Sequence, residues 1–308
     1  MNTNARTARL VLRARRALAC YAVLLVPLAL LAVFVYLPVV WAFSKSLFEF
    51  EIGGESTFIG LSNYIEFLAA DPTTYVGLVN MLIFTGAAVA IRLTVPLIVA
   101  KLIVSLQGER WRHVYRVVFL LPVVVSGVAV LLIWSGLIYS QNGLLNEFLR
   151  VCGMERWCRT WLGDPSTAMA AVIFIGFPWV GGFEVLIYYA GLSAIPDSVN
   201  EAAALEGCTG LRKFLLIDVP MVISQLKLML VLTIIAGIQG FQNLLIITRG
   251  GPGYATFVPG LQMYYNAFSY QRFGYACAIG VILFLLIFGL TVINMKYFKS
   301  SEELQAAA

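Results

Sequence analysis

Charge is scarce in this sequence. Only 12% of its 308 residues are Asp, Glu, Lys or Arg, while 60% are hydrophobic; an ordinary soluble domain is about 25% charged. A water-soluble protein of this length needs more charged surface than that, so lipid must cover much of the chain. Histidine occurs once, as His113, and cysteine five times at scattered positions. That excludes a His-rich zinc site and leaves one trivial arrangement for a Ser-His-Asp triad. No Gly-x-x-x-x-Gly-Lys-Ser/Thr phosphate loop occurs, so the chain cannot hydrolyse ATP by that route; the glycines from Gly250 to Gly253 make a tight turn with no lysine after it. There is no repeat at a fixed period and no low-complexity stretch. Most catalytic explanations fail on these absences, and the net charge of +5 has to be read by location, not as an affinity for nucleic acid.

What is present is apolar sequence in long runs. A hydrocarbon core of about 30 Å needs roughly 20 apolar residues of helix, and six runs qualify: Ala17 to Phe43, Tyr75 to Ala100, Val117 to Tyr139, Ala168 to Leu192, Leu228 to Thr248 and Tyr275 to Met295. The first follows Arg6, Arg9, Arg13, Arg15 and Arg16, but it is too long for a signal peptide and ends in no small-residue cleavage site, so it reads as an anchor. Placing the N-terminus in the cytoplasm puts Lys101, Arg110, Arg112, Arg116, Arg212, Lys213, Lys227, Lys296 and Lys299 inside as well. Lys45, Arg150, Arg156, Arg159, Arg249 and Arg272 remain outside. The positive-inside rule favours that orientation, with both termini cytoplasmic. The expected fold is an all-α, six-span membrane protein. It divides into a basic segment (1–16), a first span with its outer loop (17–74), a five-span core (75–295) holding an inner loop at 193–227, and a tail (296–308).

That inner loop reads as helix. Ser198 and Glu201 have capping-box spacing, Ala202 to Leu205 are strong helix formers, and Gly207 fits a left-handed C-cap. A second short helix is expected from Leu211 to about Asp218, with Pro220 breaking it. Two short helices joined by a glycine turn form a rigid knob. Glu201-Ala202-Ala203, then Gly207, then Ile217 and Pro220 resemble the EAA signature of bacterial ABC-importer permeases, most closely the carbohydrate-uptake permeases of the maltose-transporter first-subunit type. Phe58-Ile59-Gly60-Leu61-Ser62-Asn63-Tyr64 with Asp71-Pro72, and Gly250-Gly251-Pro252-Gly253-Tyr254-Ala255-Thr256 with Phe273-Gly274-Tyr275-Ala276, resemble that family's first and last outer loops. The departures are Glu206, Cys208 and Val219, where the family has Asp, Ala and Leu.

The resemblance implies a permease in the bacterial inner membrane that docks its knob, through Glu201, Ala202, Ala203, Gly207 and Pro220, on an ATPase subunit. The implied partners are a second homologous permease, an ABC ATPase dimer that binds ATP and magnesium, and an extracytoplasmic solute-binding protein. The chain itself would be no enzyme and would bind no cofactor. On the residues alone, Glu201 reads first as a helix cap; it is the resemblance that makes it a docking carboxylate.

Within the fifth run, Gln239, Gln242 and Asn243 are spaced i, i+3 and i+4, which places three amides on one helical stripe beside Phe241. Two readings stay open: a sugar path, since amides pair with hydroxyls and aromatic faces cover ring C–H groups, or hydrogen bonds between packed helices. Tyr188, Tyr189, Trp179 and Asn294 are further candidates. Arg92 and Glu184 are the charged residues well inside runs, at matching depths. Either they pair, with Glu184 also available to the path, or Arg92 snorkels to the surface. Cys152 and Cys158 share an outer loop where a disulfide is conceivable and free thiols are equally so. The alternative function is an ion-gradient-driven secondary transporter of a small polar solute, for which Glu184 is the lone suitable carboxylate. A membrane-embedded enzyme finds little material.

Overall fold

The computed structural model describes Tyr21, residues 23–51 and residues 53–297, with the side chain of Tyr297 excepted. The basic segment 1–16, Cys20 and the tail with Lys299 lie outside the described residues. The chain is mostly helical. Among the described residues, three helices are long and apolar enough to cross a bilayer unbroken: α1 (Val23–Lys45), α2 (Pro72–Ser105) and the last helix, Phe273–Tyr297. α2 starts three residues before the expected Tyr75, with Pro72 at the first position and the Asp71 carboxylate accepting from the Thr73 N–H at 2.9 Å. Its 34 residues reach about 51 Å at ~1.5 Å per residue, well beyond a hydrocarbon core.

The other three runs are broken. Between α2 and the elbow, the two-helix knob of the inner loop from Asp197 to Met221, α3 (Glu109–Val124) and α4 (Gly127–Ile138) meet at 83°. After the short helix α5 (Leu144–Val151), the fourth run splits into α6 (Pro165–Phe174) and α7 (Gly182–Ser193). α8 (Asp197–Leu205) and α9 (Gly210–Met221) follow, and α9 meets α10 (Ile223–Gln239) at 72°. The fifth run stops at Gly240 and resumes as α11 (Gln242–Ile247). α12 (Pro259–Phe268) and α13 (Phe273–Tyr297) complete the chain. Each break falls at residues that score as apolar or neutral yet disfavour helix: Pro122, Ser126 and Gly127; Gly176, Pro178 and Gly181; and Gly240.

The all-α expectation also misses a two-stranded hairpin, β1 (Phe48–Glu49) against β2 (Thr57–Phe58), with Phe48 opposite Phe58. It is fixed to both neighbours. The Asn63 amide donates to the carbonyls of Ser46 and Phe48 at 2.8 and 3.1 Å, and the Gly274 N–H donates to Phe50 O at 3.2 Å. A Cβ on Gly274 would collide with the Phe48 carbonyl, so the hairpin sits directly on the start of α13.

At this hairpin end, residues far apart in sequence form a clamp. The Asp71 carboxylate accepts from Thr73 N–H and hydroxyl, from Gln262 Nε2 at 2.6 Å and from the Tyr275 hydroxyl at 2.9 Å. Burial pushes the Asp71 carboxyl up, and the bonds from Thr73, Tyr275 and Gln262 outweigh it, leaving its pKa below the ordinary carboxylate range. Arg272 holds Glu66 through two nitrogens, at 2.8 and 2.7 Å. Asn80 on α2 donates to the carbonyls of Tyr254 and Phe257, both at 2.9 Å.

Two separate apolar cores result. One, at the hairpin end, gathers Phe67, Met81, Ile238, Leu261, Tyr275 and Ile279. The other, at the opposite end of α2, gathers Leu97, Ala100, Ile103, Tyr188, Leu192, Val222 and Met229. α1 contributes no buried residue to either; it lies along α13, with Phe43 and Phe284 edge to face at 5.6 Å. Its exposed apolar side chains are stable only against lipid or another apolar surface.

Candidate functional site

The elbow is built by backbone chemistry that its sequence dictates. α8 ends in a Schellman motif: Gly207 adopts φ +68°, its N–H donates to Ala204 O at 3.1 Å, and the Cys208 N–H donates to Ala203 O at 2.8 Å. A Cβ on Gly207 would meet nothing within 4 Å, so left-handed backbone and not crowding demands glycine there. Ala203 is buried, while Glu201, Ala202 and Leu205 are exposed, Leu205 to 90%. The capping box does not form. Pro196, with extended ψ, occupies the N-cap position and no side chain caps the helix, so Ser198 is already helical and the Glu201 carboxylate is free of that duty. Pro220 does not break its helix either. α9 widens into a π-type turn over Phe214–Asp218 and continues through Pro220 to Met221. The bend falls at Val222, which is fully buried against the end of α2.

The second feature is a cavity of about 570 Å³ between the two cores, lined from α2 by Ala88, Arg92 and Pro96, from the α6–α7 break by Gly176, Trp179 and Gly181, and from the α10–α11 break by Gly240, Gln242 and Asn243. Irregular backbone at membrane depth is tolerated only inside protein or along an aqueous cavity, and both breaks face this one. Trp179, at φ +56°, is held by Phe174 and Phe177 at ring distances of 4.9 and 5.0 Å and donates Nε1 to Ile173 O at 3.2 Å. Small residues let the wall pack closely: a Cβ on Gly237 would come within 2.6 Å of Thr85 Oγ1, and one on Gly181 would collide with the Glu184 carboxylate folded over it.

Arg92 and Glu184 meet at this wall, with Nε 3.7 Å from Oε1. The pair is loose, longer than a hydrogen bond, and the arginine side chain is 47% exposed against 14% for the glutamate. Glu184 stands in the first turn of α7, where the helix dipole favours an anion.

Several expectations are corrected by this geometry. The three amides form no helical stripe, because the helix ends at Gln239 and Gly240 is extended. Gln242 and Asn243 line the cavity; Gln239 is exposed and does not. Phe241 turns away from it, packing on Tyr264 at 5.6 Å and against Gly260. Tyr188 is fully buried and its hydroxyl donates to Arg92 O at 3.3 Å, so it faces no solute. Tyr189 lies under the Arg116 guanidinium at 4.7 Å, and Asn294 is buried away from the cavity. Cys152 and Cys158 are free thiols. Asn146 holds that loop closed instead, donating to Ser140, Gln141 and Arg159 carbonyls and accepting from Arg159 N–H and Trp161 Nε1.

Lys101 and Asp218, which sequence reasoning passed over, meet at 2.5 Å beneath the elbow. The one available signal was Asp218 itself, a lone acid in the otherwise apolar stretch from Phe214 to Met221.

Residues 93–298 match the family model described as binding-protein-dependent transport system inner membrane component. The probable ABC transporter permease protein YurN of Bacillus subtilis is 34% identical over 91% of this chain and 96% of its own. The trehalose/maltose transport system permease protein MalF of Thermococcus litoralis is 28% identical over 92% and 95%. The crystal structure of a bacterial ABC transporter involved in the import of the acidic polysaccharide alginate superposes with a TM-score of 0.80 at 19% identity, covering 94% of this chain and all of that one. With a glycine-set elbow at one end of a bundle of broken apolar helices, and with these matches along most of its length, the chain belongs to the binding-protein-dependent inner membrane components, the permease subunits of ABC transporters.

Proposed function

We propose that this permease forms half of the translocation path for a sugar or sugar-like solute, and that the elbow from Asp197 to Met221 is where it takes up work from an ATPase subunit. The observation that carries this reading is the exposed tip of the elbow. Glu201, Ala202 and Leu205 stand free around a turn fixed by Gly207, and an apolar side chain as exposed as Leu205 beside a free carboxylate suits a protein partner better than water. Relatives that carry trehalose and maltose, and a structural neighbour that carries alginate, support a carbohydrate, as do the amides of Gln242 and Asn243 beside the Trp179 ring.

On this reading the elbow and both termini are cytoplasmic, in keeping with the Lys and Arg distribution, and each bent or broken pair of helices makes one of six crossings. A second permease would supply the facing half of the path, an ABC ATPase dimer would hold ATP and magnesium, and a solute-binding protein would deliver solute at the hairpin end. Closure of the ATPases would rock the elbow and open the cavity alternately to the two sides. The Arg92–Glu184 pair in the cavity keeps one rival in view, a carrier driven by an ion gradient. Reconstitution separates them: solute uptake by vesicles holding the whole complex should require internal ATP, whereas uptake by this chain alone under a proton or sodium gradient would overturn the proposal.

A further inference from the structure

Four polar side chains join the elbow to α2. Lys213 Nζ, on α9, donates to Asn200 Oδ1, on α8, at 2.7 Å, so the two elbow helices are tied at a second point besides the Gly207 turn. The same ammonium lies 3.9 Å from Asp218 Oδ1. Asp218 is 1% exposed, and its other oxygen, which takes no conventional hydrogen bond, is answered by Lys101 Nζ of α2 at 2.5 Å. The surroundings are apolar: Leu97, Ala100, Ile103 and Val222 are all buried at this end. A carboxylate buried there is tolerated only with its cations in place.

We infer that Asn200, Lys213, Asp218 and Lys101 form a polar relay that makes Lys101 and Asp218 positioning residues for transport, locking the elbow to α2 so that displacement of one displaces the other. The inference rests on the reading of the elbow as the coupling element. α2 is the right recipient. Lys101 lies nine residues from Arg92 on the same helix, about 13.5 Å along its axis, and Arg92 is in the cavity wall. Apolar packing alone lets one helix slide on another, because dispersion contacts are many, weak and non-directional. A buried ion pair has one distance and one direction, and sliding leaves a charge uncompensated. A π-type turn ending at Asp218 sets the carboxylate on the face toward α2.

The experiment has two arms on the same variants. In the purified full-length chain, amide hydrogen exchange over Asn200–Leu205 should rise about tenfold in Lys101→Met and in Asp218→Asn, and stay at the wild-type rate in Lys101→Arg, which keeps the pair. In the assembled transporter, N-ethylmaleimide labelling of Ala236→Cys in the cavity wall, read on its own peptide, should respond to Mg-ATP in wild type and in Lys101→Arg. That response should fall about tenfold in Lys101→Met with the ATPase still bound. Should Lys101→Met fail to fold, Lys101→Gln keeps a polar N–H donor on a shorter stem without the charge and is read the same way. Unchanged exchange, or an unchanged Mg-ATP response in a wild type that responds, overturns the relay. A wild type that does not respond to Mg-ATP at all overturns the coupling reading on which it rests.

Discussion

The Tyr188 hydroxyl bonds to the Arg92 carbonyl oxygen at 3.3 Å, and Pro96 is the reason that oxygen is free. Proline at position 96 has no N–H to close the helical bond to residue 92, and a carbonyl left unpaired in this core would cost about 1–3 kcal/mol. Tyr188→Phe should therefore destabilise the protein by about that much. In a Pro96→Ala background, where the N–H is restored, the same change should cost measurably less. Thermal unfolding in detergent of the two singles and the double gives the comparison, and equal costs in both backgrounds would contradict the assignment.

Arg92 and Glu184 share a cavity wall at 3.7 Å. Removing one leaves the other charge uncompensated at membrane depth, whereas removing both leaves none. Arg92→Ala and Glu184→Ala should each impair transport more than the double variant does; losses that simply add would speak against coupling between them.

Gly207→Val should abolish transport while leaving the two cores intact, because a β-branched residue is a genuine outlier at φ +68° and there is no crowding for it to relieve. Glu201→Ala should weaken solute-stimulated ATP hydrolysis with little loss of expression. A Gly207→Val complex with normal stimulation would remove the elbow from the mechanism.

How far the sequence could be read depends on what kind of residue marks each feature. Hydrophobic runs locate α2 and α13 to within a few residues at their ends, as Tyr75 to Ala100 against Pro72–Ser105 and Tyr275 to Met295 against Phe273–Tyr297 illustrate. The same runs conceal the breaks, since Gly176, Pro178 and Gly240 interrupt a helix without interrupting hydropathy. That is why the spacing of Gln239, Gln242 and Asn243 reads as one stripe although the backbone at Gly240 divides them. The Glu201 and Gly207 motif located the elbow, but the capping register failed because Pro196 fixes the first turn two residues before Ser198. Lys101 and Asp218 were invisible as a pair, because sequence distance carries no sign of which end of α2 the elbow rests on.

Asp71 gives the hairpin end a pH response. Its folded-state pKa is depressed, so its contribution to stability is present in full above the unfolded value, about 3.9, and is lost as the pH falls through the lower folded value. Wild type should melt above Asp71→Asn at neutral pH, and the gap should close below about pH 4. A constant gap down to pH 3 would show that the carboxylate's charge is not what the clamp uses.

In the loop closed by Asn146, Cys152→Ser and Cys158→Ser should leave the melting temperature unchanged. Asn146→Ala should lower stability by about 2–3 kcal/mol, since several backbone groups lose their partner at once. Both thiols should react with maleimide without reductant, and protection of both until reductant is added would restore the disulfide.

The two cores share no residue, and the helix breaks that face the cavity lie between them, so head and foot pack separately and only α2 and α10, among the described residues, run unbroken from one core into the other. On the proposed reading, rocking the foot would reshape the cavity between them while Asp71, Gln262 and Tyr275 keep the hairpin end in one arrangement, so the two ends of the molecule need not move together.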